Sequence, residues 1–324
     1  MSELEIEAFD AVGERTRPPY ATVAQRLDQD SRFRDVLDRL VGISERDYYN
    51  PYRLFEWPRS LPQDRYWMTP ELMAEHCTEA GSALTEPQLY AVSKWQSINF
   101  YSLNVHGIRG LLNGLIARIH TADFAVPSAY FHHIIGEENE HMWFFAEFCL
   151  RYGGKIYPAR SMSLAEPGIP AADHFLVFAR LLIFEELVDV FNQRMAKDER
   201  LDPTIRKLNE VHHRDESRHI AFGRQIVAML HADLAQRIDE AGLRTLESHL
   251  KRYMRTSVEG LCEPLVYRDA GVPEPYAMRR RLLADPAYPG YVERLLRRSI
   301  SFLTGAGIFT SGLFEAPAAI GASR

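Results

Sequence analysis

The chain has 324 residues, enough to bury a sizeable core, and 46% of them are apolar against 25% charged, which excludes a disordered polymer. Its 38 basic and 44 acidic side chains leave a formal charge of −6, so there is no overall basic footprint for nucleic acid. Nowhere do 18 apolar residues run together, so no membrane-spanning helix is expected. The opening residues 1–16 are acidic and lack the apolar region of a secretory signal. Cys77, Cys149 and Cys262 lie far apart with no C-x-x-C pair, and read as reduced thiols of a cytoplasmic protein.

In chain order, residues 21–41 carry the first helical periodicity. A stretch rich in aromatics and prolines follows (48–73); its prolines break regular structure, and its tyrosines and tryptophans are expected to pack over something larger. Helical signals then dominate. Thr85-Glu-Pro opens a long helix over 85–120, and a second spans 128–153, ending at glycines. A third covers 171–198, a fourth 202–234 and a further one 241–268, with a last helix around 291–305 and a Gly/Pro/Ala-rich end. Period-two alternation is scarce, so the pattern predicts an all-α bundle. The expected organisation is one helical domain over 1–324, with a four-helix core at 85–235 and flanking segments 1–84 and 236–324 packed on it.

The chemistry concentrates on three of these helices. Residues three and four apart share a helix face, so His212, Glu216 and His219 line one side, whereas His213 is turned about 100° away and peripheral. Arg214, Asp215 and Arg218 fall on flanking faces, solvated or ion-paired. Glu138 and His141 repeat the Glu-x-x-His spacing on the second helix. Two such pairs on different helices, with a Glu from each of two others, build a carboxylate-bridged dimetal centre. On the third helix, Glu185 and Glu186 sit among apolar residues where an unpaired carboxylate is costly. Glu185 is preferred as the ligand over Glu186, with Asn192 two turns on able to face the same cavity.

The first helix is different. Between Glu86 and Glu137 the only acidic residue is Asp123, in the loop beyond it. The stripe Asn99, Leu103, His106, Gly110 and Asn113 is taken to face inward, making His106 the candidate replacement ligand, since imidazole suits iron, manganese or zinc. Otherwise a water fills the gap, with Asn99 or Asn104 beside it. A single Glu–His pair at helical spacing is more often a solvated or salt-bridged face; two pairs, with His212 one turn before Glu216, are not explained that way. His76, His120, His132, His133, His174, His231 and His249 lack the spacing and read as structural. Phe100, Phe144, Phe184 and Phe191 are candidates to line a dry pocket, although aromatics at helical spacing are ordinarily core.

Together, Glu138-x-x-His141, the Glu185 helix and His212-x-x-x-Glu216-x-x-His219 resemble the non-haem di-iron arylamine N-oxygenases, whose best-known member acts on p-aminobenzoate; the resemblance covers roughly residues 85–235. It implies a ferritin-like bundle, usually dimeric, that uses O2 and two irons, with manganese a possible substitute, to oxidise an aromatic amine to hydroxylamine and nitro products. It implies Glu138, His141, Glu185, His212, Glu216 and His219 as metal ligands, and also a first-helix carboxylate that this chain does not supply. The expected partners are a small-molecule substrate, O2, an external electron donor and a second copy of the chain, with neither nucleic acid nor membrane. Competing readings are a di-iron oxygenase or desaturase acting at carbon, and a metal-binding protein without oxygenase activity. The arginines of 278–283 and 293–299 fit an exposed helix face or an oligomer contact better than a nucleic-acid surface.

Overall fold

A computed structural model describes residues 23–159 and 164–318. The acidic N-terminal stretch and the end of the Ala-rich tail lie outside the described residues. In chain order the helices are α1 (Val23–Gln29), α2 (Ser31–Arg46), α3 (Pro51–Leu54), α4 (Glu86–Ile116), α5 (Ser128–Gly153), α6 (Asp173–Lys197), α7 (Pro203–Leu234), α8 (Glu240–Glu259), α9 (Pro264–Asp269), α10 (Pro275–Ala284) and α11 (Tyr288–Gly305). No strand occurs among the described residues.

Local chemistry sets the ends of the core helices. Thr85 N–H donates to the Gln88 side chain (2.9 Å) at the start of α4, and Pro87 follows in the first turn. Asp202 caps α7 by accepting from Thr204 N–H at 2.8 Å. At the far end of α5, Gly154 takes a left-handed conformation (φ 66°), which returns its N–H to the Leu150 carbonyl.

Packing contacts fix the helix directions. Tyr101 stacks on Phe145 while Ile98 meets Gly153, so α4 and α5 are antiparallel. Phe100 stacks on Phe191, and Gly107 and Gly114 lie against Phe184 and Val177, so α4 and α6 are antiparallel too. Asn192 meets His212 and Leu182 meets Gly223, which makes α6 and α7 antiparallel. Helices α5 and α6 therefore run the same way, so the end of α5 and the start of α6 lie at opposite ends of the bundle. Two antiparallel pairs joined by one long crossover are the ferritin-like topology.

The aromatic segment before α4 lies over α5. Tyr52 packs on Trp143, Phe55 on Phe144, and the buried Trp67 on Phe148. The predicted early helix is two, broken at Asp30, whose carboxylate caps α2 through Phe33 N–H. The predicted 241–268 helix is also two: Pro264 cannot continue α8 and begins α9, with Glu263 as its cap.

Candidate metal centre

Six of the seven predicted site residues meet inside the bundle. Helix α5 presents Glu138 and His141, α6 presents Glu185, and α7 presents His212, Glu216 and His219; none is more than 2% exposed. Ligand atoms of Glu138, Glu185, Glu216 and His219 all lie within 4.8 Å of one another. His141, His212 and Glu216 form a second group by the same measure, so Glu216 belongs to both. His219 Nδ1 is 2.8 Å from Glu138 Oε1, His141 Nδ1 is 3.4 Å from Glu216 Oε1, and His212 Nε2 is 3.0 Å from that same oxygen.

These atoms fit a metal. Both Glu185 oxygens, Glu138 Oε1, Glu216 Oε2, His141 Nδ1, His212 Nε2 and His219 Nδ1 are buried without a hydrogen-bond partner. Leaving so many lone pairs unsatisfied costs several kcal/mol, of order 1–3 for each group, and convergent cations remove that cost. The donors are hard oxygens and imidazoles with no thiolate among them, a set suited to iron or manganese. The electrostatics agree. Burial pulls His141 and His219 down, yet the surrounding carboxylates outweigh it and hold both imidazoles well above their ordinary range, so the site favours positive charge, which a bound cation would supply in place of those two protons. Burial and the neighbouring His141 push His212 the other way, keeping it neutral and able to ligate.

A second ring of residues fixes the histidines. His141 Nε2 lies 3.2 Å from Asp215 Oδ2, and His219 Nε2 lies 2.8 Å from Glu137 Oε2. Each carboxylate thus holds the imidazole of the opposite helix, with the proton on Nε2 and Nδ1 turned to the centre. Arg218 joins the two, donating to Glu137 Oε1 at 2.7 Å and Asp215 Oδ1 at 2.9 Å. Tyr49 donates to Asp215 Oδ2 at 2.8 Å. Asn192 contacts His212 Nδ1; with its amide oriented oxygen-first it accepts the Nδ1 proton and frees Nε2 as ligand. The sequence reading left Asp215 and Arg218 on flanking faces and did not single out Glu137 or Tyr49. The available signal was an acidic residue directly before each Glu-x-x-His: Glu137 before Glu138, Asp215 before Glu216.

Glu185 and Glu186 separate cleanly. Glu186 turns away to accept from Arg224 Nε at 2.7 Å, while Glu185 joins the centre. His213 is peripheral, held by Asp189, which also pairs with Arg298 of α11.

His106, expected as the replacement ligand, lies outside both ligand groups. Its Nε2 is 2.7 Å from the Tyr157 carbonyl, in the crossover. The stripe it shares faces elsewhere: Asn99 donates to the Gly260 carbonyl at 3.1 Å, and Asn113 is exposed. The face of α4 that meets α6 carries Phe100, Asn104 and Gly107 instead. Of the predicted pocket aromatics, Phe144 approaches the His141 ring (5.4 Å between centroids), Phe100 and Phe191 stack together, and Phe184 fills the space beside Gly107. Phe145, not predicted, packs on His212 at 4.8 Å.

Two Glu-x-x-His helices and a third carboxylate helix, closing on paired ligand groups in this topology, define a non-haem dimetal-carboxylate protein of ferritin-like architecture. The family model described as P-aminobenzoate N-oxygenase AurF matches residues 30–307, and the chain belongs to that family. It is a non-haem di-iron oxygenase, and its two clustered His/Glu groups are consistent with a di-iron cofactor. None of the curated proteins compared with it matches its sequence. Among solved structures it is similar to a tyrosine-to-phenylalanine mutant of an R2-like ligand-binding oxidase with an aerobically reconstituted Mn/Fe cofactor, at 14% identity and TM-score 0.44, over 88% of this chain and 98% of that one. No helix among the described residues is long and apolar enough to cross a membrane.

Proposed function

We propose that this enzyme oxidises the nitrogen of an aromatic amine, using Glu138, His141, Glu185, His212, Glu216 and His219 as the ligands of two iron ions. The observation that carries the reading is the convergence of seven orphaned, buried donor atoms from three helices, with Glu216 common to both groups. Bound iron would supply O2 activation. The first oxidation is balanced as ArNH2 + O2 + 2 electrons + 2 protons giving ArNHOH + H2O: an N–O bond forms, the O–O bond breaks, and the second oxygen leaves as water. The electrons come from an external one- or two-electron donor.

The chain's own residues supply the setting. Asp215 and Glu137 keep the protons on the outer nitrogens of His141 and His219, leaving their inner nitrogens as donors. Phe144 and Phe145 wall the histidine side with apolar surface and exclude water. The reading extends to a homodimer working in the cytoplasm; family membership supports the first, and three unpaired cysteines the second.

The test is turnover of p-aminobenzoate by the iron-loaded enzyme under labelled O2 with a chemical reductant. Hydroxylamine or nitro product carrying the label is the expected result. Label on ring carbon would favour the carbon oxygenase, and metal uptake far beyond two ions per chain without product would favour storage.

A further inference from the structure

A dimetal centre in a four-helix bundle is complete when two helices each give a Glu-x-x-His pair and each of the other two gives a Glu. Here α6 gives Glu185 and α4 gives none. The nearest acid after α4 is Asp123, beyond the helix end and facing His174 at 3.6 Å.

What α4 presents instead is legible in its contacts. Phe100 stacks on Phe191 at 4.7 Å, and Gly107 is so close to Phe184 that an added Cβ would come within 2.3 Å of the ring. Asn104 stands between these two contacts on the same face, fully buried. Phe184 precedes Glu185, and Phe191 precedes Asn192, the neighbour of His212. Asn104 is therefore level with the centre. Its Nδ2 donates to the Phe100 carbonyl at 2.8 Å, and its Oδ1 has no partner.

The remaining ligands are unevenly divided. One group holds three carboxylates and one imidazole; the other holds two imidazoles and only the shared carboxylate of Glu216. Three carboxylates more than neutralise a first divalent ion, but a second ion leaves the cluster with one uncompensated positive charge. A fourth carboxylate would cancel it.

We infer that the two metal positions are unequal: the Glu138/Glu185/Glu216/His219 position fills first and tightly, and the His141/His212 position holds its ion weakly because Asn104 stands where an anionic donor would complete the shell. This rests on the ligand set proposed above. His212 supplies a neutral donor to the weak position without supplying charge.

The experiment is an anaerobic calorimetric titration of the metal-free full-length chain with Fe(II), repeated with Mn(II), followed by the same titration of variants. The expected result is two steps, the second at least about 10-fold weaker than the first, because the second ion enters without a carboxylate to balance its charge. His212→Ala should abolish the weak step and spare the tight one. Asn104→Asp, nearly isosteric, and Asn104→Glu, with longer reach, should tighten the weak step about 10-fold in at least one of the two. Two steps of equal affinity in the unmodified chain, or loss of the tight step in His212→Ala, would overturn the inference. Failure of both carboxylate variants to tighten binding would overturn the part assigned to Asn104. Binding of no metal at all would instead overturn the ligand set, and that outcome is distinct from equal steps.

Discussion

Arg218 ties the two histidine-bearing helices together, because its guanidinium is shared by the carboxylates that hold His141 and His219. Asp215 sits well below the usual carboxylate range despite its burial, owing to His141 and Arg218. Asp215→Asn should keep the fold but weaken iron binding by about 10–100-fold, the usual effect of losing an outer partner of a ligating histidine. An unchanged Fe(II) affinity would remove Asp215 from that role. Arg218→Met should be harsher on stability, by about 3 kcal/mol, since it takes the shared guanidinium from the buried Asp215 and the partly buried Glu137; denaturant unfolding of the metal-free chain measures it. His231 gives a pH signature separate from the centre. Burial pushes its imidazole down to about 4, below the ordinary 6.5. The unfolded chain therefore takes the proton first, so this group's contribution is complete above about pH 6.5 and is lost as pH falls towards 4, by at most about 3 kcal/mol. His231→Gln should show a smaller loss of stability between pH 7 and 4 than the unmodified chain, and equal slopes would refute the assignment.

At the scale of the helices, α4 is where sequence pattern and structure part. Helix α5 was legible to the residue, Ser128–Gly153, because a glycine pair ends its apolar periodicity. Helices α6 and α7 declared their ligand stripes through buried acids at helical spacing. Helix α4 is buried on several sides, with Ser93, Gln96, Ser97, Asn99, Ser102 and Asn104 among its interior residues, so periodicity could not tell which polar stripe looks into the bundle. The stripe chosen, through His106, instead meets the crossover and the Gly260 turn. Asp215 and Arg218 were illegible for a related reason: charged residues at i and i+3 look like a solvated face until the opposing helix supplies Glu137 and His141. The α4–α6 contact itself is testable. Gly107→Ala should cost about 1–3 kcal/mol through the displaced Phe184 ring. Adding Phe184→Leu should recover part of that loss; simple additivity in the double-mutant cycle would contradict the contact.

Across the whole molecule, the centre binds three helices that the chain delivers from both sides of its crossover, so metal and fold are linked. Loaded chain should melt several degrees above metal-free chain, because a cation that binds only the folded state adds its binding free energy to stability. Away from the centre's ligands, the buried Glu247–Lys251 pair fastens the C-terminal segment, with Glu247 accepting from Thr310 and Lys251 donating to Ser311. That segment is anchored without help from the metals, and its protection in hydrogen exchange should be the same with or without iron. The central claim is that two irons share the Glu216 carboxylate inside this bundle. Mössbauer spectroscopy of chain loaded with excess Fe(II) under anaerobic conditions and then exposed to O2 tests it most directly. The expected spectrum is about two irons per chain, magnetically coupled through a bridge, with the coupling lost in Glu216→Ala. One iron per chain, or two that remain uncoupled in the unmodified protein, would contradict it.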